Sequence, residues 1–298
     1  MEAGVYGEMS EELCKAFKGK TVVIKYGGSI TNDIEATDAF MEDIAVLRHI
    51  GAKVVVVHGG GPDINRMLDR LNLKGEFVKG LRVTDESAME VVEMVLSGRV
   101  NKSLTSKLLA KGVDAVGISG RDGRLLEAEK MYLEENGEKI DIGFVGDVKG
   151  VNSKIVSALL NMGYVPVISP VAGDREGNVY NINADYAAAA IGISLGADSL
   201  VYISDVDGLY RDINDKNSLI CTITVGKIGE LIGSGAISGG MIPKMKCCTD
   251  AIEKGVKSVC LVGGKRAHAL LELFGGKASG TIIEKASIIS IKDQGSLL

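Results

Sequence analysis

Short β-branched runs alternate with segments of helical period along almost the whole chain, and this alternation most restricts its fold. Thr21–Lys25 (TVVIK) and Lys53–His58 (KVVVVH) read as strands. The stretch from Asp33 to His49 between them reads as a helix, ended near Gly51. Strands that are apolar at nearly every position are buried on both faces, and a strand–helix–strand order joins them in parallel under covering helices. Further strands are expected at Ala115–Ser119, Tyr164–Ile168, Ser199–Ile203, Ser258–Val262 and Thr281–Ile283. Further helices are expected from Pro62, and at Ser153–Met162, Ala184–Leu195, Lys227–Ile232, Lys244–Lys254 and His268–Phe274. Thr84, Asp85 and Glu86 open one long helix, along which Val92, Leu96, Val100, Leu104 and Leu108 form a stripe at four-residue spacing. Leu125–Gly146 lacks that period and contains Asn136-Gly137, so hairpins are expected there, and Asp174 to Asn178 reads as a turn. The expected class is α/β, with a mostly parallel central sheet and two lobes on one continuous sheet.

Composition removes several functions. The chain has 34 basic and 39 acidic residues, a net charge of −5, with 4% aromatic residues and no Trp. A basic nucleic-acid footprint and a base-stacking platform are both missing, so no nucleic-acid partner is expected. The longest run of apolar and small residues, Ala187 to Ala197, is shorter than the ~18 that span a bilayer. The N-terminus carries Glu2, Glu8, Glu11 and Glu12 without an apolar core, so neither a secretory signal nor a membrane partner is expected. The five cysteines, Cys14, Cys221, Cys247, Cys248 and Cys260, include no C-x-x-C pair and read as small hydrophobes in a reducing, cytoplasmic setting. His49, His58 and His268 are too scattered for a zinc site.

Glycine, at 39 of 298 residues, is about twice its usual ~7% share. Two clusters sit where ligands of a parallel sheet bind, beyond the C-terminal ends of strands. Lys25-Tyr26-Gly27-Gly28 follows the first strand and His58-Gly59-Gly60-Gly61 the second. A glycine turn opening a helix offers free N–H donors to an anion. No G-x-x-x-x-G-K-[ST] and no G-x-G-x-x-G occurs, so a P-loop, a dinucleotide fingerprint and a protein-kinase loop are all absent. Arg82 lies just before a helix and has the fork that suits a carboxylate, or is a plain surface charge. Asn181 or Asn183 could cap the helix at Ala184. Lys244 stands at a helix N-terminus, where its charge opposes the macrodipole.

In order along the chain, KYGG (Lys25–Gly28), HGGG (His58–Gly61), GLRVTD (Gly80–Asp85), VNK (Val100–Lys102), NINAD (Asn181–Asp185), SDVDG (Ser204–Gly208) and GGMIPK (Gly239–Lys244) resemble the motifs of the amino acid kinase family. The likeness runs from about Gly19 to Lys285 and is greatest to members that phosphorylate the side-chain carboxylate of N-acetyl-L-glutamate with ATP, a step of arginine biosynthesis. It implies an αβα sandwich: residues 1–19 as an N-terminal helix, 20–180 as a lobe for the acyl amino acid and for dimerisation, 181–285 as a lobe for ATP, and 286–298 as a tail. It implies that Lys25 and Lys244 flank the transferred phosphoryl group and that Asp185 orients both lysines. Gly28, Gly60 and Gly61 would donate backbone N–H groups, Arg82 would hold the substrate α-carboxylate, and Asn181 its acetamido group. Asp205, Val206, Asp207, Gly208, Leu209 and Tyr210, with Ala236, Ile237, Ser238 and Lys244, would cradle the nucleotide. Mg2+ would come with ATP, held by phosphates and water, with no protein ligand assigned.

Two other readings compete. One is a sister kinase for aspartate or a carrier-linked aminoadipate. The other is an idle sensor of arginine or nucleotide, which retention of Lys25, Lys244 and Asp185 opposes. The resemblance further implies a homodimer through the Thr84–Lys111 helix, and a hexamer of three dimers with arginine feedback. Met9, Leu13 and Phe17 fall on one face of an amphipathic N-terminal helix with no evident partner in its own domain. After His268–Phe274, Lys277 stands where arginine-sensitive members carry an acid. An arginine ligand would be weakened there unless Glu272 or Glu284 substitutes.

Overall fold

Residues 5–27, 33–135, 137–212, 214–237, 239, 241–277 and 279–285 are described by a computed structural model, with side chains from residue 11 onward. Helix α1 (Val5–Phe17) leads into β1 (Thr21–Tyr26), α2 (Ile34–His49), β2 (Lys53–His58) and α3 (Gly61–Arg70). A small hairpin, β3 (Glu76–Val78) and β4 (Leu81–Val83), precedes α4 (Glu86–Glu93) and α5 (Asn101–Ala110), which a π-helical stretch over Met94–Val100 joins without a break. Then come β5 (Ala115–Ser119), the long pair β6 (Leu126–Glu135) and β7 (Glu138–Val151), α6 (Lys154–Asn161), β8 (Val165–Ser169), β9 (Val171–Gly173) and β10 (Val179–Ile182). The remainder is α7 (Ala184–Leu195), β11 (Ser199–Ser204), β12 (Thr222–Thr224), α8 (Val225–Gly233), α9 (Met241–Glu253), β13 (Ser258–Gly263), α10 (Ala269–Phe274) and β14 (Gly280–Glu284).

One sheet of eight strands runs β12-β14-β13-β11-β1-β2-β8-β5. The six strands from β13 to β5 are parallel, and β14 reverses against β13. Alternation along β1 sends Val22, Ile24 and Tyr26 into the core under α2, α4, α5 and α10, and Val23 into the core under α6, α7, α8 and α9. Both faces are thus covered, as continuous Val/Ile strands require. A second sheet closes on itself in the order β10-β7-β6-β9, and its strands fall in sequence between β5 and α7. The hairpin expected around Asn136-Gly137 is this β6–β7 pair; Asn136 itself lies outside the described residues.

Two expectations change. The long helix is not α-helical throughout. A stripe spaced by four residues drifts around a helix of 3.6 residues per turn, and the wider i→i+5 turns of the π stretch cancel the drift. Val92, Leu96, Val100, Leu104 and Leu108 all reach the core in consequence. The N-terminal helix does have a partner within the chain: Leu13 is buried, and the Phe17 ring packs 4.2 Å from that of Phe274 on α10. The Met9 side chain lies outside the described residues. Three cysteines, Cys247, Cys248 and Cys260, are buried as expected, whereas Cys221 is exposed. Among the described residues no helix is long and apolar enough to cross a membrane.

Candidate active site

The site grows from the C-terminal tips of three neighbouring parallel strands, β11, β1 and β2. Lys25 follows Val23 by two residues, so it points to the α7 side of the sheet. There it meets the first turn of α7, where Asn183 is the N-cap and accepts a hydrogen bond from Asp185 N at 2.8 Å. Lys25 Nζ lies 2.8 Å from Asp185 Oδ1. The contact is an ion pair, and the buried Oδ1 has no hydrogen bond of ordinary geometry among the described residues. A half-buried ion pair of this kind contributes little net stability, so its presence points to chemistry.

Tyr202 pairs with Lys25 in register across the β1–β11 ladder. Its hydroxyl donates to Asp185 O at 3.3 Å and lies 3.3 Å from Cys247 Sγ on α9. Burial raises the Tyr202 pKa, and raises the Cys247 thiol to about 11, so both stay protonated at neutral pH. Lys244, in the first turn of α9, stands with Nζ 6.0 Å from the Tyr202 ring centroid, the outer limit of a cation–π contact. Lys25 therefore touches Asp185 while Lys244 makes no ion pair with it among the described residues.

At the tip of β2 the glycines serve different ends. Gly59 N extends the ladder by donating to Tyr26 O at 3.0 Å. Gly60 caps α3, and a Cβ there would sit 2.6 Å from Leu96 Cδ2, so the backbone presses on the π stretch. A Cβ at Gly61 would meet nothing, and its N–H is one of the orphan donors of the α3 N-terminus. Gly28 lies outside the described residues.

Arg82 sits on β4 and is 6% exposed. Nη2 donates to Asn65 Oδ1 and to Gly61 O at 3.4 Å, and the guanidinium lies 4.6 Å from the Phe77 ring centroid. Nη1 is buried with no acceptor among the described residues. Burial lowers the Arg82 pKa, yet a guanidinium remains charged, so Nη1 is a charged donor with no acceptor among the described residues. Thr84 Oγ1 donates to Arg82 O at 3.1 Å and accepts from Asn181 Nδ2 at 3.4 Å, bringing Asn181 on β10 to the same corner.

The loop after β11 keeps Asp205 and Asp207 less buried than Gly208 and Leu209, which are enclosed. Tyr210 Oη donates to Asp207 Oδ2 at 3.1 Å, and Leu209 N to Thr281 Oγ1 at 2.8 Å. Asp207 folds over Gly263, where a Cβ would lie 2.0 Å from its Oδ1. Ala236 is exposed, Ile237 is buried with its N donating to Leu231 O at 3.1 Å, and Ser238 lies outside the described residues. Sequence reasoning missed Asn65, Phe77, Tyr202 and Cys247. Asn65 carried a weak signal, one helical turn beyond Gly61. The other three act through tertiary contacts that no spacing announces.

Residues 20–263 match the Amino acid kinase family. The chain is 50% identical to an acetylglutamate kinase of Clostridium acetobutylicum over 255 residues, 86% of each chain. It is 43% identical to that of Methanococcus aeolicus over 290 residues, 96% of this chain and 98% of the other. Among solved structures, N-acetylglutamate synthase from Neisseria gonorrhoeae superposes with a TM-score of 0.82 at 22% identity over 96% of this chain, which spans 64% of that protein's length. Giardia carbamate kinase superposes with a TM-score of 0.68 at 16% identity, over 90% of this chain and 99% of the other. At such identities the structural likeness speaks for the fold alone, and the sequence matches carry the assignment: the chain belongs to the amino acid kinase family.

Proposed function

We propose that the protein phosphorylates the side-chain carboxylate of N-acetyl-L-glutamate, giving N-acetyl-L-glutamyl 5-phosphate and ADP. The carrying observation is the buried Arg82 Nη1 without an acceptor among the described residues, in a molecule that also holds the Lys25–Asp185 pair at its strand tips. Identity to acetylglutamate kinases at 43–50% supports the same reading. The substrate has two carboxylates; one meets Arg82 and the other attacks. An attacking carboxylate is ionised at pH 7, so no general base is needed. A new P–O bond forms to the carboxylate as the bond from the γ-phosphorus to the ADP oxygen breaks. Catalysis then consists of holding two anions in line and neutralising charge on the moving group.

In this reading Lys25 serves the attacking side and Lys244 the nucleotide side, with Asp185 orienting Lys25 and Tyr202 fixing α7 against α9. Gly60 and Gly61, with Gly28, supply N–H donors. Asn181 takes the acetamido group, and the loop Asp205–Tyr210 with residues 236–238 takes the nucleotide. Mg2+ would arrive with ATP, held by phosphate oxygens and water, and would supply neutralisation of phosphate charge. Among the described residues no three His, Cys, Asp or Glu side chains gather to hold a metal, so no protein ligand is assigned to it. ADP release measured across N-acetyl-L-glutamate, aspartate and other acyl amino acids tests the proposal; a clear preference for another acid would refute it.

Residues 20–180 then form the acyl-amino-acid lobe and residues 181–285 the ATP lobe. Pairing of two copies through the α4–α5 helix accounts for Met94 and Leu109, which are 58% and 51% exposed along it. Met94→Glu with Leu109→Glu should yield monomers by light scattering, and persistent dimers would exclude this surface. The hexamer and arginine feedback rest on α1 beside α10. Because Leu13 and Phe17 are packed, the test is removal of residues 1–10 only; an unchanged mass would count against a linking role. Glu272 is engaged by Arg266 at 3.2 Å and Lys277 at 3.3 Å, so an arginine ligand must displace one of them. Titrating arginine into the activity assay decides that point.

A further inference from the structure

The VNK segment and the histidine of HGGG have no part in the chemistry above, yet they meet in the interior. His58 is fully buried. Its Nδ1 lies 2.8 Å from Gly59 O and its Nε2 3.1 Å from Asn101 Nδ2. The Asn101 amide is oriented by groups that can only accept: Nδ2 is also 2.9 Å from Val167 O and 3.2 Å from Ile118 O. Asn101 Oδ1 accepts from Lys102 Nζ at 3.2 Å, and the same ammonium donates to Gly117 O at 2.7 Å. A Cβ on Gly117 would fall 2.0 Å from Asn101 Oδ1, so glycine there makes room for the amide.

These contacts leave one protonation pattern. Asn101 presents its NH2 to the ring, so a proton on Nε2 would face a donor and find no acceptor. The single ring proton is then on Nδ1 and is given to Gly59 O. A trans peptide carries its C=O and N–H in opposite directions. Holding Gly59 O against the imidazole therefore turns the Gly60 N–H away from the ring. Among the described residues that N–H donates to no backbone carbonyl.

We infer that His58, Asn101 and Lys102 form a positioning relay, which selects the Nδ1–H tautomer and through the Gly59 carbonyl aims the Gly60 N–H at the reacting anion. The inference rests on the reading of the Gly60 turn as an anion donor. The π stretch has a part in it, because it ends at Val100, just before Asn101, and so delivers that side chain to β2, β5 and β8. Sequence reasoning recognised both motifs without seeing that one orients the other.

Two measurements on the full chain test the relay. An Asn side chain places its amide nitrogen near the Nδ1 position of histidine, and Gln places its own near Nε2. His58→Asn should keep kcat within about three-fold of the parent, whereas His58→Gln and His58→Ala should lose about 100-fold in kcat with little change in the KM for ATP. Equal kcat in the Asn and Gln variants, or a folded His58→Ala with undiminished kcat, would overturn the relay. The second measurement needs no variant to be active: NMR of the 15N-histidine-labelled parent at pH 7 should show His58 as the neutral Nδ1–H tautomer. An Nε2–H tautomer or an imidazolium would overturn it. If instead Lys25→Ala kept full turnover, the reading of the site would fail while the tautomer result stood.

Discussion

The two ends of the site are built on different foundations. Lys25 and Tyr202 project from β1 and β11, central strands with parallel neighbours on both sides. Their positions follow from ladders of backbone hydrogen bonds, each worth about 1 kcal/mol net and all acting together. Arg82 and Asn181 project from β4 and β10, strands of three and four residues outside the eight-stranded sheet. They are held by side chains instead: Asn65 and Phe77 for Arg82, and Thr84 between Arg82 and Asn181. The rigid end suits groups that must meet a transition state, where small displacements are costly. The softer end suits recognition, which tolerates adjustment.

The contrast can be broken by substitution, and the largest effect belongs to the rigid end. Lys25→Ala and Lys244→Ala should each lower kcat by ~3–4 kcal/mol, or two to three orders of magnitude, in folded protein. Near-normal turnover in either would remove that lysine from the chemistry. His58, under the same strand tips, makes the stability of this end pH-dependent. Burial lowers its pKa from 6.5 to about 4. Between those values the unfolded chain binds a proton that the folded chain refuses, so the contribution is complete above pH 6.5 and is lost as pH falls toward 4. The shift corresponds to on the order of 3 kcal/mol. Denaturant titrations of the parent and His58→Asn across that window should diverge in slope, and parallel curves would show that the ring is not held neutral.

At the softer end, Arg82→Lys keeps the charge and loses the fork. It should raise the KM for N-acetyl-L-glutamate by ~1.5–3 kcal/mol with kcat largely kept. A KM change confined to ATP would move Arg82 to the other site. Phe77→Ala should have the smallest effect, ~0.5–1 kcal/mol in the same KM, as for a half-exposed cation–π contact. If Phe77→Ala instead lowered kcat as far as Lys25→Ala does, the division into a rigid and a recognising end would collapse.

Legibility followed the same division. The strands that carry Lys25 and His58 were readable because an apolar run of five or six residues, too short for a helix and bounded by turns, can bury itself only as an interior strand. Strand β2, strand β5 and helix α7 fall within the expected limits. The hairpin β3–β4 and strand β12 were not seen. At three residues each they are too short to show a period, and their pairing comes from distant partners or a turn. Asn183, not Asn181, proved to be the α7 cap, a choice that spacing had left open. The π stretch was written in the four-residue stripe, but only packing on β5 and β8 distinguishes a wider helix from a drifting one.

Periodicity and glycine placement by themselves determined a parallel sheet with anion-binding turns at its strand tips, because both are local consequences of backbone geometry. Which groups face one another there was decided only by the tertiary structure. Lys25 meets Asp185, far along the chain, because β1 and α7 pack on one face, and Tyr202 joins α7 to α9 because it pairs in register with Lys25. Burial holds the His58 ring neutral, and Asn101, 43 residues away, turns an amide toward its Nε2. Charge pairing, tautomer and exposure depend on distance and dielectric, and a linear sequence specifies neither until the chain has folded.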